Sequence, residues 1–291
     1  MFTDTKILNV SQLKKLDDRL RNFQIVKYRT NPYVSKMYKT GQWTITVYTN
    51  NKVLVQGENA QDFWKPTIKK ITTDITSNYI GCDEVGVGDY FGGMVTCAVY
   101  LQHQNEESLK AIGITDSKDL SDREMFRIYP QLIKLVKYTY LSYLPDQYNK
   151  LVDQYKNTHI IKALMHDLTI KALVQNYKIA NDTSVILDQF TPPNKYFQYF
   201  DVIKAKPYPI SHFMTGAEKK NLAVAAASII ARIKFLEQIS NLQKLTNVPI
   251  LLGASNPKII TYAQQIYQHG GTDELKQFVK IHFATTKKVL S

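Results

Sequence analysis

The segment Tyr79-Ile80-Gly81-Cys82-Asp83-Glu84-Val85-Gly86-Val87-Gly88-Asp89 constrains this chain more than any other. An apolar run ends in two adjacent carboxylates and passes at once into a Gly-x-Gly turn. Carboxylates at a strand end are typical ligands for hard divalent cations, and glycines let backbone approach a phosphate or sugar closely. The pairing points to phosphodiester chemistry. Consecutive strand residues face opposite ways, so Asp83 and Glu84 reach one metal site only if the strand ends or bends there, which Gly81 and Gly86 permit. Alone, an Asp-Glu pair before a turn also fits an exposed, inert loop.

Two further acids sharpen the pattern. Asp188 closes the apolar run Ser184-Val185-Ile186-Leu187, where α/β folds place ligands at the C-terminal ends of strands; a turn-capping aspartate is the alternative. Glu218 fits a capping box on Thr215, yet it also lies one turn before Leu222 and continues the stripe Leu222, Ala225, Ile229 toward a sheet. Four clustered carboxylates repel one another unless cations neutralise them. Two Mg²⁺ ions about 4 Å apart would do so, one activating water and one stabilising the leaving 3′ oxygen, with no protein nucleophile required.

Other chemistries fail on spacing. Phe91 stands three residues after Gly88 and the chain continues into a strand, so the glycines are not a dinucleotide fingerprint, and no P-loop motif occurs. Cys82 and Cys97 form neither a disulfide framework nor a zinc set and are expected as buried free thiols. The histidines, among them His159, His166, His212 and His282, are expected to be structural.

The 291 residues suffice for one large domain or two moderate ones. A net charge of +12 favours polyanionic partners, nucleic acid first among them. The excess is concentrated at the N-terminal end, where residues 1–75 carry 13 Lys+Arg against 6 Asp+Glu. No segment has the ~18 uninterrupted apolar residues of a membrane span, and the N-terminus lacks a signal sequence, so a cytoplasmic protein is expected.

Within residues 1–75 the pattern gives a helix from Ser11 to about Asn22, with Ser11 as cap, then a hairpin. Gln42–Thr49 and Lys52–Gln56 alternate around a two-residue Asn50-Asn51 turn. That register puts Trp43, Ile45, Val47 and Leu54 on a core face and Thr44, Thr46, Tyr48, Val53 and Val55 on the other. Flanked by Lys36, Lys39 and Lys52, the second face is a platform for the shallow minor groove of a hybrid duplex or simply a half-solvated sheet face. A covering helix is expected over Glu58–Ile71 and a linker over Thr72–Asn78. From Tyr79 onward strands are expected at 79–85, 94–101, 137–144 and 184–188, with helical stretches at 146–177, 217–245 and 258–268.

Four ordered segments resemble the type 2 ribonucleases H, and within them the HIII group: Gly81-Cys82-Asp83-Glu84-Val85-Gly86-Val87-Gly88-Asp89-Tyr90-Phe91-Gly92, Asp116-Ser117-Lys118, Leu187-Asp188-Gln189-Phe190, and Lys206–Thr215 running through Glu218 to Arg232. The resemblance implies an α/β fold: an RNase H-like catalytic domain over residues 79–291, with a mixed central sheet flanked by helices. It also implies a small α+β domain similar to the TATA-binding-protein fold over residues 1–75. The implied activity is endonucleolytic hydrolysis of RNA in RNA/DNA hybrids with Mg²⁺ or Mn²⁺, leaving 5′-phosphate and 3′-hydroxyl ends; a monomer without a small-molecule cofactor is a separate expectation. Carried over by position, Asp83, Glu84, Asp188 and Glu218 are the metal-site acids, and Asp83 is the residue expected to touch both ions. Gly86, Val87 and Gly88 would read ribose 2′-hydroxyls, and Ser117 and Lys118 would contact phosphate; Lys39, Thr44, Tyr48 and Lys52 are the N-terminal contact candidates. Gly93 stands where proline is expected. HII enzymes carry Gly-Arg-Gly where this chain has Gly-Val-Gly, which disfavours incision at a lone ribonucleotide. An HII-type nuclease and a non-catalytic nucleic-acid-binding protein are the competing readings.

Overall fold

The computed structural model describes residues 2–20, 24–25, 31–64, 78–114 and 120–291. The chain divides into two compact units, Met1–Thr76 and Ser77–Ser291.

In the first unit, β1 (Phe2–Ile7), α1 (Val10–Leu20), β2 (Gln24–Ile25), β3 (Val34–Lys39), β4 (Trp43–Tyr48) and β5 (Lys52–Gly57) build an antiparallel sheet of order β1-β5-β4-β3-β2. Helix α1 starts earlier than the pattern suggests. Asn9, not Ser11, supplies the cap: its side chain accepts the Gln12 N–H while the Gln12 side chain accepts the Asn9 N–H, a reciprocal box two residues upstream. Leu16 and Leu20 from α1 close over Ile45, Val47, Val53 and Val55. Each such side chain contributes about 1.5–3 kcal/mol relative to exposure.

The hairpin corrects the expected register. Ile45 pairs with Val55 and Val47 with Val53, so both valines of β5 lie on the core face, and Leu54, opposite Thr46, lies on the other. The connection holds three residues, with Asn51 alone at positive φ, instead of two. One extra loop residue shifts the pairing by one and flips every β5 side chain. Of the helix expected over 58–71, the described residues form a short 3-10 turn, Ala60–Trp64, whose Phe63 meets Trp43 and Trp64 edge to face. Residues 65–71 and most of the expected linker lie outside the described residues.

The second unit contains a mixed sheet of order β10-β9-β6-β7-β8, formed by β6 (Tyr79–Val85), β7 (Met94–Leu101), β8 (Lys137–Tyr143), β9 (Ser184–Asp188) and β10 (His212–Met214). β6 runs antiparallel to β7 and parallel to β9, so the two acid-bearing strands are central neighbours that end on the same side. Around them stand α2 (Glu106–Ala111), α3 (Asp122–Leu135), α4 (Pro145–Tyr155), α5 (Thr158–Tyr177), α6 (Pro193–Ile203), α7 (Leu222–Gln243), α8 (Pro257–Phe278) and α9 (Ala284–Leu290).

The stretch 146–177 is two helices, parted at Lys156 in the left-handed region and restarted by an Asn157 cap. The stretch 217–245 likewise opens with a 3-10 turn, Ala217–Lys219, before Asn221 caps α7. α8 extends ten residues beyond Gln268, through a kink at Gly270-Gly271.

The two faces of β6 meet different helices. Ile80 and Cys82 pack with Val185, Leu187 and the α5 residues Ala163, Ile170 and Leu173. Gly81 faces α7, where a Cβ would lie 2.4 Å from the Ala223 carbonyl carbon and the Val224 nitrogen. Only glycine admits that approach of helix backbone to strand. Both cysteines are buried free thiols.

Candidate active site

Alternation along β6 decides where the adjacent acids go. Asp83 shares the α7 face with Gly81, and Ser228 of α7 hydrogen-bonds its carboxyl. Glu84 turns to α5, where Lys162 Nζ donates to Oε1 at 2.7 Å and His166 Nε2 lies 2.8 Å from Oε2. The strand runs on to Val85 without the bend that would bring both acids to one face.

Asp188 follows Leu187, which pairs with Cys82 in the parallel register, so it occupies the position beside Asp83 at the neighbouring strand end. Its Oδ1 accepts the Ala217 N–H at 2.9 Å. That bond ties β9 to the 3-10 turn carrying Glu218, which is 2% exposed. Asp83, Asp188 and the Glu218 turn therefore gather where β6, β9 and the start of α7 meet. Among the described residues no three His, Cys, Asp or Glu side chains converge as a ready cation cage.

The electrostatics of the adjacent pair are opposite. Burial, the nearby Glu84 charge and Asp188 hold the Asp83 carboxyl well above the usual carboxylate range, against the Glu84 N–H and Ser228 hydrogen bonds. Burial would raise Glu84 too, but His166 and Lys162 outweigh it and hold its carboxyl down to about 2. A half-buried acid pressed upward by other acids lacks a counter-charge, and the oxygen-only donors Asp83, Asp188 and Glu218 suit a hard divalent cation.

A family model described as Ribonuclease HII matches residues 80–286. A second, Domain of unknown function (DUF3378), matches residues 6–74. Ribonuclease HIII of Bacillus cereus is 36% identical over 273 residues, covering 87% of this chain and 88% of that protein. The chain belongs to the ribonuclease HIII family. Ribonuclease HIII of Lactococcus lactis subsp. lactis is 34% identical over 289 residues, covering 97% of this chain and 96% of that one. The crystal structure of Bst-RNase HIII in complex with Mn²⁺ is 28% identical with a TM-score of 0.70, covering 99% of this chain and 98% of that one. The fold is RNase H-like, and the chain is a metal-dependent ribonuclease.

In this ribonuclease HIII chain, Gly86 has φ +98, and a Cβ there would meet the Gly93 carbonyl oxygen at 2.7 Å. Val87 stands 36% exposed at the tip of the turn. Gly93, where proline is expected, donates its N–H to Gln238 Oε1 at 2.6 Å, a bond proline could not make. Ser117 and Lys118 lie outside the described residues.

In the first unit Lys39 pairs with Thr44 on the outer sheet face, the face also of Tyr48 and Lys52. Lys39 and Lys52 are exposed, and Thr44 and Tyr48 are half-buried. Lys36 is not part of that face: its ammonium pairs with Asp17 on α1, which also accepts the Tyr38 hydroxyl. Thr46, in the middle of the expected platform, is only 3% exposed.

Sequence reasoning missed the partners of Glu84. His159 and His166 are seven apart, but the informative spacing is the four residues from Lys162 to His166, which aligns both toward one acid. His166 is fully buried, stacks on Phe190 and also reaches Glu84.

Proposed function

We propose that this chain is an endonuclease hydrolysing the RNA strand of RNA/DNA hybrids, leaving 5′-phosphate and 3′-hydroxyl ends. The observation that carries this reading is the half-buried Asp83 carboxyl beside Asp188 at two central strand ends, in a chain of the ribonuclease HIII family. Asp83, Asp188 and Glu218 would hold Mg²⁺ or Mn²⁺ on the α7 side, while Glu84, the fourth acid of the expected metal set, is held by Lys162 and His166 on the α5 side and would join them only through its neighbour Asp83; two ions are the proposed complement during catalysis. Bound cations supply the charge that activates water and stabilises the leaving 3′ oxygen. The chain's own groups do the rest. Lys162 and His166 keep Glu84 ionised, Ser228 and the Glu84 N–H fix the orientation of Asp83, and the Gly86–Gly88 backbone meets the 2′-hydroxyls that mark RNA.

The test is cleavage of an end-labelled hybrid with Mg²⁺ beside single-stranded RNA, duplex DNA and DNA holding one ribonucleotide. Multiple cuts confined to the RNA strand of the hybrid are expected. Val87 offers an aliphatic tip where an arginine would add a phosphate contact, so incision at the lone ribonucleotide is expected to be at least about tenfold slower per site, the worth of one charge-assisted hydrogen bond. Efficient cutting there would make the enzyme an HII-type nuclease.

We further assign residues 1–75 as the substrate-binding domain, an α+β unit of TATA-binding-protein type presenting Lys39, Thr44, Tyr48 and Lys52, with Ser117 and Lys118 as phosphate contacts of the catalytic domain over 79–291. Over half the net positive charge resides in residues 1–75. Deleting residues 1–76 is expected to weaken hybrid binding and flatten the slope of log K against log salt, read by titration at several salt concentrations. An unchanged slope would remove the domain from substrate binding. Among the described residues no helix is long and apolar enough to cross a membrane; a cytoplasmic monomer is the proposed working form.

A further inference from the structure

The segment that follows α8 grips the glycine turn from behind. Phe91 bridges Val279 antiparallel, Gly92 N–H donates to the Phe278 carbonyl at 2.9 Å, and Lys280 N–H donates to the Tyr90 carbonyl at 2.9 Å. From the middle of this ladder Lys280 sends its side chain into the turn, 0% exposed, where Nζ donates to the carbonyls of Asp89 at 2.5 Å and Gly92 at 2.8 Å. The rings of Phe283 and Tyr148 stand 5.7 and 5.8 Å from Nζ.

A whole lysine is rarely buried, because desolvating an ammonium costs several kcal/mol. An apolar residue would fill the same space without that cost. What lysine adds is directed donors for two carbonyls that would otherwise be left unsatisfied.

Asp89 is the joint that passes this hold to the glycines. Its N–H closes the turn on the Gly86 carbonyl at 3.4 Å, its Oδ1 accepts the Gly253 N–H at 2.6 Å, and its carbonyl receives Lys280. One of these bonds closes the turn on itself, and the other two tie it to the protein body.

We propose that Lys280 is a positioning residue for ribose recognition: by holding the Asp89 and Gly92 carbonyls it fixes the Gly86-Val87-Gly88 backbone that is presented to the RNA strand. This rests on the hybrid-nuclease reading above. The hold survives deprotonation. Burial pushes the ammonium down to about 7 against the pull of Asp89, but a neutral amine still carries two N–H groups for two carbonyls. Among the described residues, Tyr148 and His282 are titratable side chains beside it, and burial and Lys280 itself depress the latter.

The experiment compares Lys280→Met with the parent, both carrying Asp83→Asn to prevent cleavage, in affinity for a hybrid and for a DNA duplex of the same sequence; unfolding curves check the fold. The expected result is a roughly tenfold loss of hybrid affinity with duplex affinity unchanged, about one charge-assisted hydrogen bond. In the cleaving background KM should rise more than kcat falls. A folded Lys280→Met protein with its hybrid preference intact overturns the proposal.

Should Lys280→Met not fold, Asn149→Ala decides. Asn149 holds the segment through the Val279 carbonyl and the Ile281 N–H without touching the turn. Loss of hybrid preference in that variant supports the proposal, and unchanged preference overturns it. A parent protein with no hybrid preference at all would instead fail the underlying reading, and is seen before any Lys280 variant is compared.

Discussion

Asp83→Asn is expected to lower hybrid cleavage by roughly 10³-fold or more, because charge stabilisation by bound metal is worth several kcal/mol and each ~1.4 kcal/mol is a factor of ten. Hybrid affinity should stay within about threefold of the parent, since the proposed substrate contacts lie elsewhere. A second effect has the opposite sign. The folded Asp83 carboxyl titrates above its unfolded value, so the penalty it places on folding is absent below pH 3.8 and grows as the pH rises toward the folded value. Asparagine removes it, and without divalent metal the variant should melt at a higher temperature than the parent. Added Mg²⁺ should then stabilise the parent more than the variant. Cleavage within tenfold of the parent would take Asp83 out of the site.

The second large effect belongs to Lys162→Met. Lys162 and Glu84 are about nine-tenths buried side chains 2.7 Å apart, with Lys162 also 4.2 Å from the Phe190 ring centre. Removing one partner of a buried pair costs about 3–5 kcal/mol, and the His166 contact that remains places the expectation near the lower end. The pH dependence has a definite direction. Glu84 titrates at about 2 in the folded chain against 4.5 unfolded, so its stabilisation is complete above pH 4.5 and is lost as the pH falls from there toward 2. Urea unfolding at pH 7 and pH 3 should show a smaller difference for the variant than for the parent. A loss of less than about 1 kcal/mol at pH 7 would mean that Glu84 is satisfied without Lys162.

The central strands and the motif-bearing acids were legible because strand period and apolar runs locate β6, β7 and β9 without help from the rest of the chain. What sequence could not supply was parity and partnership. One residue in the Asn50-Asn51 loop decides whether Val53 or Leu54 enters the core, and residue preferences for the two loop lengths overlap at asparagine. The Asp83-Glu84 pair reads as a unit, yet the pleat sends its members to helix residues more than sixty positions apart, Ser228 and Lys162. Lys280 left a faint mark, one cation within the apolar run Phe278-Val279-Lys280-Ile281, but its carbonyl partners lie 188 and 191 residues away. No local pattern encodes a contact at that separation. The three-residue β10 is visible only through its parallel pairing with β9.

The bare backbone at Gly81 has a reach beyond its own position. Because α7 rests directly on that peptide, the depth at which the helix start sits below the sheet is set by a hydrogen atom. The turn bearing Glu218 is rooted in the same helix start, so the distance from the acids of β6 to Glu218 is a thickness of packing, fixed two residues before the first carboxylate. A single methyl group there would act as a shim, moving the Glu218 turn away from Asp83 with no acid exchanged.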